Sequence, residues 1–193
     1  MSTYYDIQDG RAYVIQCFES RPFFDCGLKF RIARMYGIDS WIEPATRELM
    51  KRGILELTTD VANNVGFETY HTIIETKTRI GDLRTGMAFV PLPLNEDLGC
   101  TQKKKCCSSW ETQWWVIIAP HILHPEAPIS GFWLRIELEG SKLPGVCNGC
   151  QSGTVRAMNE KGFFDKEDGL IEEGVAKVKA RYGHASLAQP TLS

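Results

Sequence analysis

The sequence lacks the features that direct a protein into or across a membrane. No apolar run is long enough to cross a bilayer. The segment from Met1 to Val14 carries Asp6, Asp9 and Arg11 and has no continuous apolar stretch, so it does not resemble a signal peptide. An Asn-x-Ser/Thr sequon and a lipidation motif are also missing. We therefore expect a soluble intracellular protein, cytoplasmic or nuclear, without membrane contact.

An excess of charge of one sign is missing as well. The formal net charge is −2 and the pI is about 6.1, whereas proteins that bind nucleic acid through its phosphates are usually basic. The chain contains no G-x-S-x-G, H-E-x-x-H, P-loop or G-x-G-x-x-G motif, and no pair of carboxylates stands out. These absences predict a protein that is not an enzyme, and they argue against nucleic acid as its partner.

The chain does have enough apolar residues to fold. Its 193 residues are 43% hydrophobic and 24% charged, which suffices for a buried core. Apolar residues recur at helical spacing along most of the chain, which predicts a mainly α fold, an irregular helical bundle with long loops and little or no β-structure. One segment departs from this pattern, because Leu134, Ile136 and Leu138 alternate with charged residues as in a strand. No partner strand is evident.

Caps, glycines and prolines set the expected boundaries of the helices. A loop is predicted over residues 85–99, which contain Gly86, Pro91 and Pro93. In the helix before this loop, Phe67 is the first residue of an apolar stripe that we expect in the core. Helices are predicted at about residues 25–36, 40–53, 58–64, 66–83, 108–123, 150–159 and 165–182.

The helix that begins near residue 108 has the clearest start signal. Ser108 and Glu111 fit a capping box, in which each side chain bonds the backbone amide at the other's position. Trp110, Trp114 and Trp115 follow, together with several isoleucines, and cover a wide face of the helix. A helix with so wide an apolar face is expected to be buried on most sides.

Five of the seven cysteines fall into two groups. Cys147 and Cys150 have the C-x-x-C spacing of a zinc knuckle, and Cys100 with Cys106 or Cys107 would supply the other pair of thiolates. Four sulfurs make a closed tetrahedral site, which is typical of structural zinc, whereas catalytic zinc keeps one position for water. Structural zinc is therefore the candidate cofactor, and the sequence indicates no other cofactor.

Other interpretations of these cysteines stay open. The Cys100–Cys106 spacing is wider than usual for a zinc-ligand pair, so reduced unbound thiols, or a disulfide or redox pair, are alternatives. The Lys103–Lys105 run lies beside the cysteines with Trp110 close by, which permits a small zinc-dependent nucleic-acid-binding module as an alternative function. A cysteine-based enzyme is a third candidate.

An ordered set of short motifs resembles a known family. It resembles the helical region that follows the BTB/POZ core in the expanded BTB-domain protein family of mushroom-forming (basidiomycete) fungi. The residues that carry the resemblance are Ile32–Tyr36, Trp41–Ala45, Gly66–Tyr70, Cys106, Trp110, Glu111, Trp114, Trp115 and Leu123–Pro125.

The resemblance implies a function in protein interaction. BTB proteins dimerise and recruit partners, either as transcriptional regulators or as substrate adaptors of cullin-type ubiquitin ligases. The expected function is thus a non-enzymatic protein–protein interaction or adaptor module with a protein partner of unknown identity. The expected organisation is an N-terminal extension or remnant over residues 1–23, a helical domain over residues 24–182 and a flexible tail over residues 183–193.

Overall fold

The computed structural model describes residues 8–20, 24–125 and 127–183. Within these ranges the chain is helical and forms no strand, which confirms the predicted mainly α fold. None of the helices in the described ranges is both long and apolar enough for a membrane span. In chain order, helices α1 to α10 are Gln8–Glu19, Cys26–Tyr36, Asp39–Lys51, Thr59–Val65, Phe67–Phe89, Lys103–Gln113, Ala119–Ile122, Gly131–Gly140, Asn148–Glu160 and Lys166–Gly183.

The chain forms two compact units. The first unit consists of Met1–His71 and Lys177–Ser193, and the second consists of Thr72–Ala176. The start of α5 and the end of α10 therefore belong to the first unit. The helical domain predicted over residues 24–182 takes in parts of both units, and the predicted flexible tail lies outside the described residues from position 184 onward.

Helix α2 in the first unit begins and ends where its sequence predicts. The Asp25 side chain accepts a hydrogen bond from the Leu28 amide at 2.9 Å, which satisfies one of the free amides at the start of the helix. Gly37 ends the helix in the left-handed conformation, with φ 61°, which glycine adopts without steric cost.

Helices α2, α3 and α4 enclose the core of the first unit. Phe30, Trp41 and Leu49 are at most 1% exposed, and the Trp41 indole donates a hydrogen bond to the Glu19 carboxylate at 2.8 Å. Phe67 was expected in the core, but this prediction is wrong because its side chain is 81% exposed. Phe67 is the first residue of α5 and lies on its outer side, whereas Thr69 in the same turn is fully buried.

Helix α5 continues to Phe89, well beyond the predicted end near residue 83. The part of the predicted loop up to Phe89 is therefore helical, including Gly86. Tertiary contact explains the extension: Ala88 is fully buried, and its carbonyl accepts a hydrogen bond from the Trp114 indole at 2.9 Å. The remaining non-helical link, residues 90–102, is called the strap below.

Helix α6 begins at Lys103, so the predicted cap at Ser108 is wrong. Ser108 lies inside the helix, where its carbonyl accepts a hydrogen bond from the Thr112 hydroxyl. The helix continues through a π-helical segment, Trp114–Ile118, into α7. One row of side chains spaced four residues apart is at most 2% exposed: Cys106, Trp110, Trp114, Ile118 and Ile122.

Not every tryptophan of this helix is buried. Trp115 is 47% exposed, which corrects the expectation that the helix is buried on most sides. On a straight α-helix, side chains four residues apart point in directions that differ by about 40° around the helix axis, so such a row drifts off one face. The wider π-helical turn reduces this drift, so Trp114 and Ile118 keep facing the core while Trp115 and Val116 face outward.

Residues 132–139 form part of helix α8 and not a strand. Leu134 and Leu138 are buried one helical turn apart, whereas Ile136 is 40% exposed, so the alternation of apolar residues does not reflect one buried face. Phe132 and Trp133 are 51% and 60% exposed. We call Phe132, Trp133 and Ile136 the aromatic face of α8.

The strap lies across the core of the second unit. Its Leu92 carbonyl accepts a hydrogen bond from the Trp110 indole at 2.8 Å. Further along, the Asn95 amide donates to the Thr154 hydroxyl on α9 at 2.8 Å. Leu92 and Leu94 pack against the core cluster of this unit. These contacts place the first half of the strap beside the middle of α9.

Candidate metal centre

Four cysteines of the second unit converge on one point. Cys100 lies in the strap, Cys106 in the first turns of α6, Cys147 at the N-cap of α9, and Cys150 one turn into α9. Their sulfur atoms all lie within 4.8 Å of one another. The structure thus brings together four of the five cysteines that the sequence singles out.

Two turns of the chain bring these sulfurs together. A turn in which the Cys100 amide donates to the Asp97 carbonyl at 3.0 Å leads from the strap into α6. A second turn precedes α9, and Gly145 has φ 79° there, a conformation that side chains with a Cβ rarely adopt. A Cβ at Gly145 would also lie only 2.9 Å from the Cβ of Ser109. Glycine at this position therefore lets Cys147 approach α6.

Backbone amides point at two of the sulfurs. The Cys147 amide donates to the Cys106 sulfur at 3.5 Å, and the Asp97 amide donates to the Cys150 sulfur at 3.4 Å. Such bonds stabilise negative charge on sulfur, as does the partial positive charge at the N-terminus of a helix. The centre lies at the start of both α6 and α9, so its amides and helix ends favour thiolates, whereas the burial of Cys106 and Cys150 acts against them.

The thiols at the two ends of the C-x-x-C motif differ in pKa. The backbone amide and then the thiol of Cys150 lower the pKa of Cys147 to about 7. Burial, as the largest cause, raises the pKa of Cys150 to about 12. The amide of Cys147 lowers the pKa of Cys106, but burial and the neighbouring thiols outweigh it and leave that pKa raised.

The sulfur geometry is compatible with one metal ion. Zinc–sulfur bonds of about 2.3 Å would hold the sulfurs of a tetrahedron about 3.8 Å apart. The sulfurs of Cys100 and Cys106 are 3.6 Å apart, and no pair exceeds 4.8 Å. Small side-chain rotations would place all four on one ion. Four protein ligands would leave no position for water, which is the arrangement of a structural site.

Cys107 is the fifth predicted ligand, and it is not part of this cluster. Its sulfur is 3.8 Å from a carboxylate oxygen of Glu96, and burial raises its pKa. The four-residue row explains the difference, because Cys106 is in phase with the buried Trp110 whereas Cys107 is in phase with the exposed Glu111. The sequence shows which of the two cysteines faces the core once the helix is known to begin before Cys106. The amides of Asp97 and Cys147 also contact the sulfurs, but no pattern in the sequence predicts these contacts.

The lysines and the tryptophan beside the centre do not form a stacking platform. Lys103 pairs with Glu96 at 3.3 Å, and Trp110 is only 1% exposed. A buried indole cannot stack on a base, so the aromatic half of the nucleic-acid hypothesis has no support in this part of the chain.

No protein-family model matches the chain, and no curated protein or solved structure was found to be similar to it. The family resemblance described above stays a prediction.

Proposed function

We propose that this chain is a non-enzymatic protein-interaction module whose second unit is held together by one structural zinc ion. The observation that carries the proposal is the convergence of four cysteine sulfurs, from the strap, α6 and α9, within 4.8 Å. A tetrahedral set of four sulfurs suits zinc or iron, and zinc is the usual ion of structural sites of this kind. A site with four protein ligands also has no open position for a substrate.

The zinc ion would join elements that are otherwise connected by few bonds. The strap has no secondary structure over residues 91–97, and it reaches α9 through the hydrogen bonds of Asn95 and Asp97. The unfolded chain does not hold the four cysteines together, so the free energy of metal binding contributes directly to the free energy of folding. Zinc would therefore fix the strap over the core and hold the starts of α6 and α9 together.

The exposed aromatic side chains support the interaction part of the proposal. Phe132 and Trp133 project from α8 although the opposite side of that helix is already buried in the core. In the same unit, the exposed rings of Phe89 and Trp115 are in contact, with centroids 6.1 Å apart. Tryptophan and other aromatic residues dominate the binding energy of protein interfaces. The resemblance to BTB-associated regions favours the same class of function, an adaptor with a protein partner.

Metal analysis tests the zinc centre. We expect one zinc per chain by mass spectrometry of the purified, tag-free protein, and a lower melting temperature after chelation. Cys150→Ser should lose the metal, because it removes a buried ligand. Cys107→Ser is the matched control and should retain zinc and stability. A wild-type protein that contains no metal and melts identically with and without chelator would contradict the centre.

Affinity capture tests the interaction. The immobilised chain should recover a protein partner, and the double variant Phe132→Ala/Trp133→Ala should recover less of it while its circular dichroism stays unchanged. Phe67→Ala removes an even more exposed aromatic side chain from the first unit and serves as the control. If the double variant captures the partner as well as the wild type does, the aromatic face is not the binding surface.

A second candidate function is zinc-dependent nucleic-acid binding. The observation that favours it is the exposure of Lys104 and Lys105 in the first turn of α6, next to the cysteines. Retention on a polyanion column at low salt, abolished by Lys104→Ala/Lys105→Ala, would support this function over the first. Failure of the wild type to bind the column would remove it.

A further inference from the structure

The four sulfurs of the centre form two local pairs with a common arrangement. Cys100 and Cys106 lie on either side of the start of α6, and Cys147 and Cys150 lie on the first turn of α9. In each pair the first sulfur is half-buried and the second is buried, with Cys106 2% and Cys150 0% exposed. A small oxidant therefore meets one sulfur of each pair first and finds a second sulfur behind it.

We infer that the centre is an oxidant-sensitive site, at which hydrogen peroxide converts each local pair of cysteines into a disulfide and releases the metal. The inference rests on the proposed zinc centre and adds its regulation. Cys100 and Cys147 are the sulfurs that meet peroxide, and Cys106 and Cys150 are the sulfurs that complete the disulfides.

The reaction at each pair is a two-electron oxidation. The sulfur of Cys147 attacks one oxygen of hydrogen peroxide, the O–O bond breaks, and a sulfenic acid forms while the departing hydroxide takes a proton and becomes water. The sulfur of Cys150 then attacks the sulfenic sulfur, forms the S–S bond and displaces a second hydroxide, which is also protonated. Two thiolates, one peroxide and two protons thus give one disulfide and two waters. Cys100 and Cys106 react in the same way.

The geometry favours closure within each pair. The sulfurs of Cys100 and Cys106 are 3.6 Å apart, and they need to approach by about 1.5 Å to reach the length of an S–S bond. Cys100 lies on the strap outside any helix, so its backbone can follow. Cys147 and Cys150 share one helical turn, and a disulfide between them needs side-chain rotation only.

Loss of the metal would act on the strap. A disulfide sulfur no longer carries the negative charge that the Asp97 amide stabilises on Cys150, and Cys100 no longer shares an ion with α9. The strap would then be held mainly through the Trp110 indole and Asn95. Oxidation should therefore loosen the strap while Trp110 and Trp114 stay buried.

Titration of the zinc-loaded full chain with hydrogen peroxide tests the inference. A chromogenic chelator would report released zinc, and alkylation of the remaining thiols followed by peptide mass mapping would identify the disulfides. We expect one zinc to be released per chain, disulfides that join Cys100 to Cys106 and Cys147 to Cys150, and recovery of the zinc-bound form after reduction in the presence of zinc. Cys107→Ser should release zinc like the wild type.

Three results would overturn the inference. The first is retention of zinc with all thiols intact at peroxide concentrations that oxidise Cys17 on α1. The second is a disulfide that joins one local pair to the other. The third is a disulfide in which Cys107 replaces one of the four cysteines. A purified protein without zinc would instead defeat the proposed zinc centre. The disulfide map of the metal-free chain would then test the two local pairs by itself.

Discussion

Replacement of Gly131 by alanine tests how α8 is seated in the second unit. Gly131 is the first residue of α8, and a Cβ built there would overlap the carbonyl oxygen of Phe164 and lie 2.7 Å from its carbonyl carbon. Favourable carbon–carbon contacts begin near 3.5 Å, so the two backbones would need to separate by about 1 Å. Both partners are backbone atoms, and no side-chain rotation can relieve the overlap.

The expected cost follows from two opposing terms. Overpacking of this kind destabilises by about 1–3 kcal/mol, with the upper end for rigid neighbours. Replacement of glycine by alanine within a helix stabilises the fold by about 0.5–1 kcal/mol, which offsets part of this loss. The net loss is about 2 kcal/mol, which lowers the melting temperature of a chain of this size by about 4–8 °C.

Thermal unfolding followed by far-ultraviolet circular dichroism measures this effect. Gly86→Ala is the matched control, because Gly86 lies exposed inside α5 and a Cβ there would meet no atom within 4 Å. The control should raise stability by about 0.5–1 kcal/mol. If Gly131→Ala melts at or above the wild-type temperature while Gly86→Ala behaves as expected, α8 does not rest on the backbone at Phe164.

Three further predictions concern caps, buried amides and surface charge. Asp25→Ala should lower the free energy of unfolding by about 1 kcal/mol in urea titrations, because the α2 cap is lost, whereas Asp25→Asn should retain most of the stability. Gln151→Leu should cost about 3 kcal/mol in the same assay, because the Gln151 side chain satisfies two buried backbone groups and one partly buried backbone group. Ser152→Ala on the exposed side of α9 is the control and should change stability by less than about 0.5 kcal/mol. Hydrogen bonds from Lys179 and, to a lesser extent, Arg47 lower the pKa of Glu43. The contribution of Glu43 to stability is therefore present above its unfolded pKa and is lost as the pH falls through its folded pKa. An NMR titration should place the midpoint of Glu43 below 4.5, and Lys179→Met should move that midpoint upward.

Helix ends could be predicted from sequence where the cap is a local bond. Asp25 and Thr58 accept hydrogen bonds from amides three residues ahead, so their signal lies within a few residues. Ser108 and Glu111 satisfy the same local rule but lie inside α6. There the tertiary contacts of the strap and the cysteine cluster extend the helix by five residues toward its N-terminus.

The candidate centre could be predicted only as a set of residue types. The spacing of Cys147 and Cys150 identifies one pair, and the sequence indicates Cys100 with either Cys106 or Cys107 as the second pair. The choice depends on which sulfur shares the face of Trp110, and that face is defined only when α6 begins at Lys103. The predicted capping box at Ser108 places both cysteines outside the helix, so the sequence could not show which of them lies on the same face as Trp110.

Helix α8 shows the limit of hydrophobic periodicity. Its apolar residues occupy both the buried side and the solvent side, so alternation with charged residues imitates a half-buried strand. Periodicity predicts structure because apolar residues are usually buried. Where apolar residues are exposed, as Phe132, Trp133 and Ile136 are, that premise does not hold. The strand-like pattern of this segment therefore marks the surface to which we attribute binding.

The π-helical segment, Trp114–Ile118, is the place in this stretch where the number of residues can change. A π-helical turn holds about one residue more than an α-helical turn, so deletion of one residue here would allow an ordinary α-helix to form and would leave Ile122 facing nearly the same way. Deletion of one residue from the α-helical part of α6 would instead rotate every later residue by about 100° relative to the residues before it, and Cys106 and Ile122 could no longer face the same core. Descendants of this sequence can therefore lose a residue from the π-helical segment more readily than from α6.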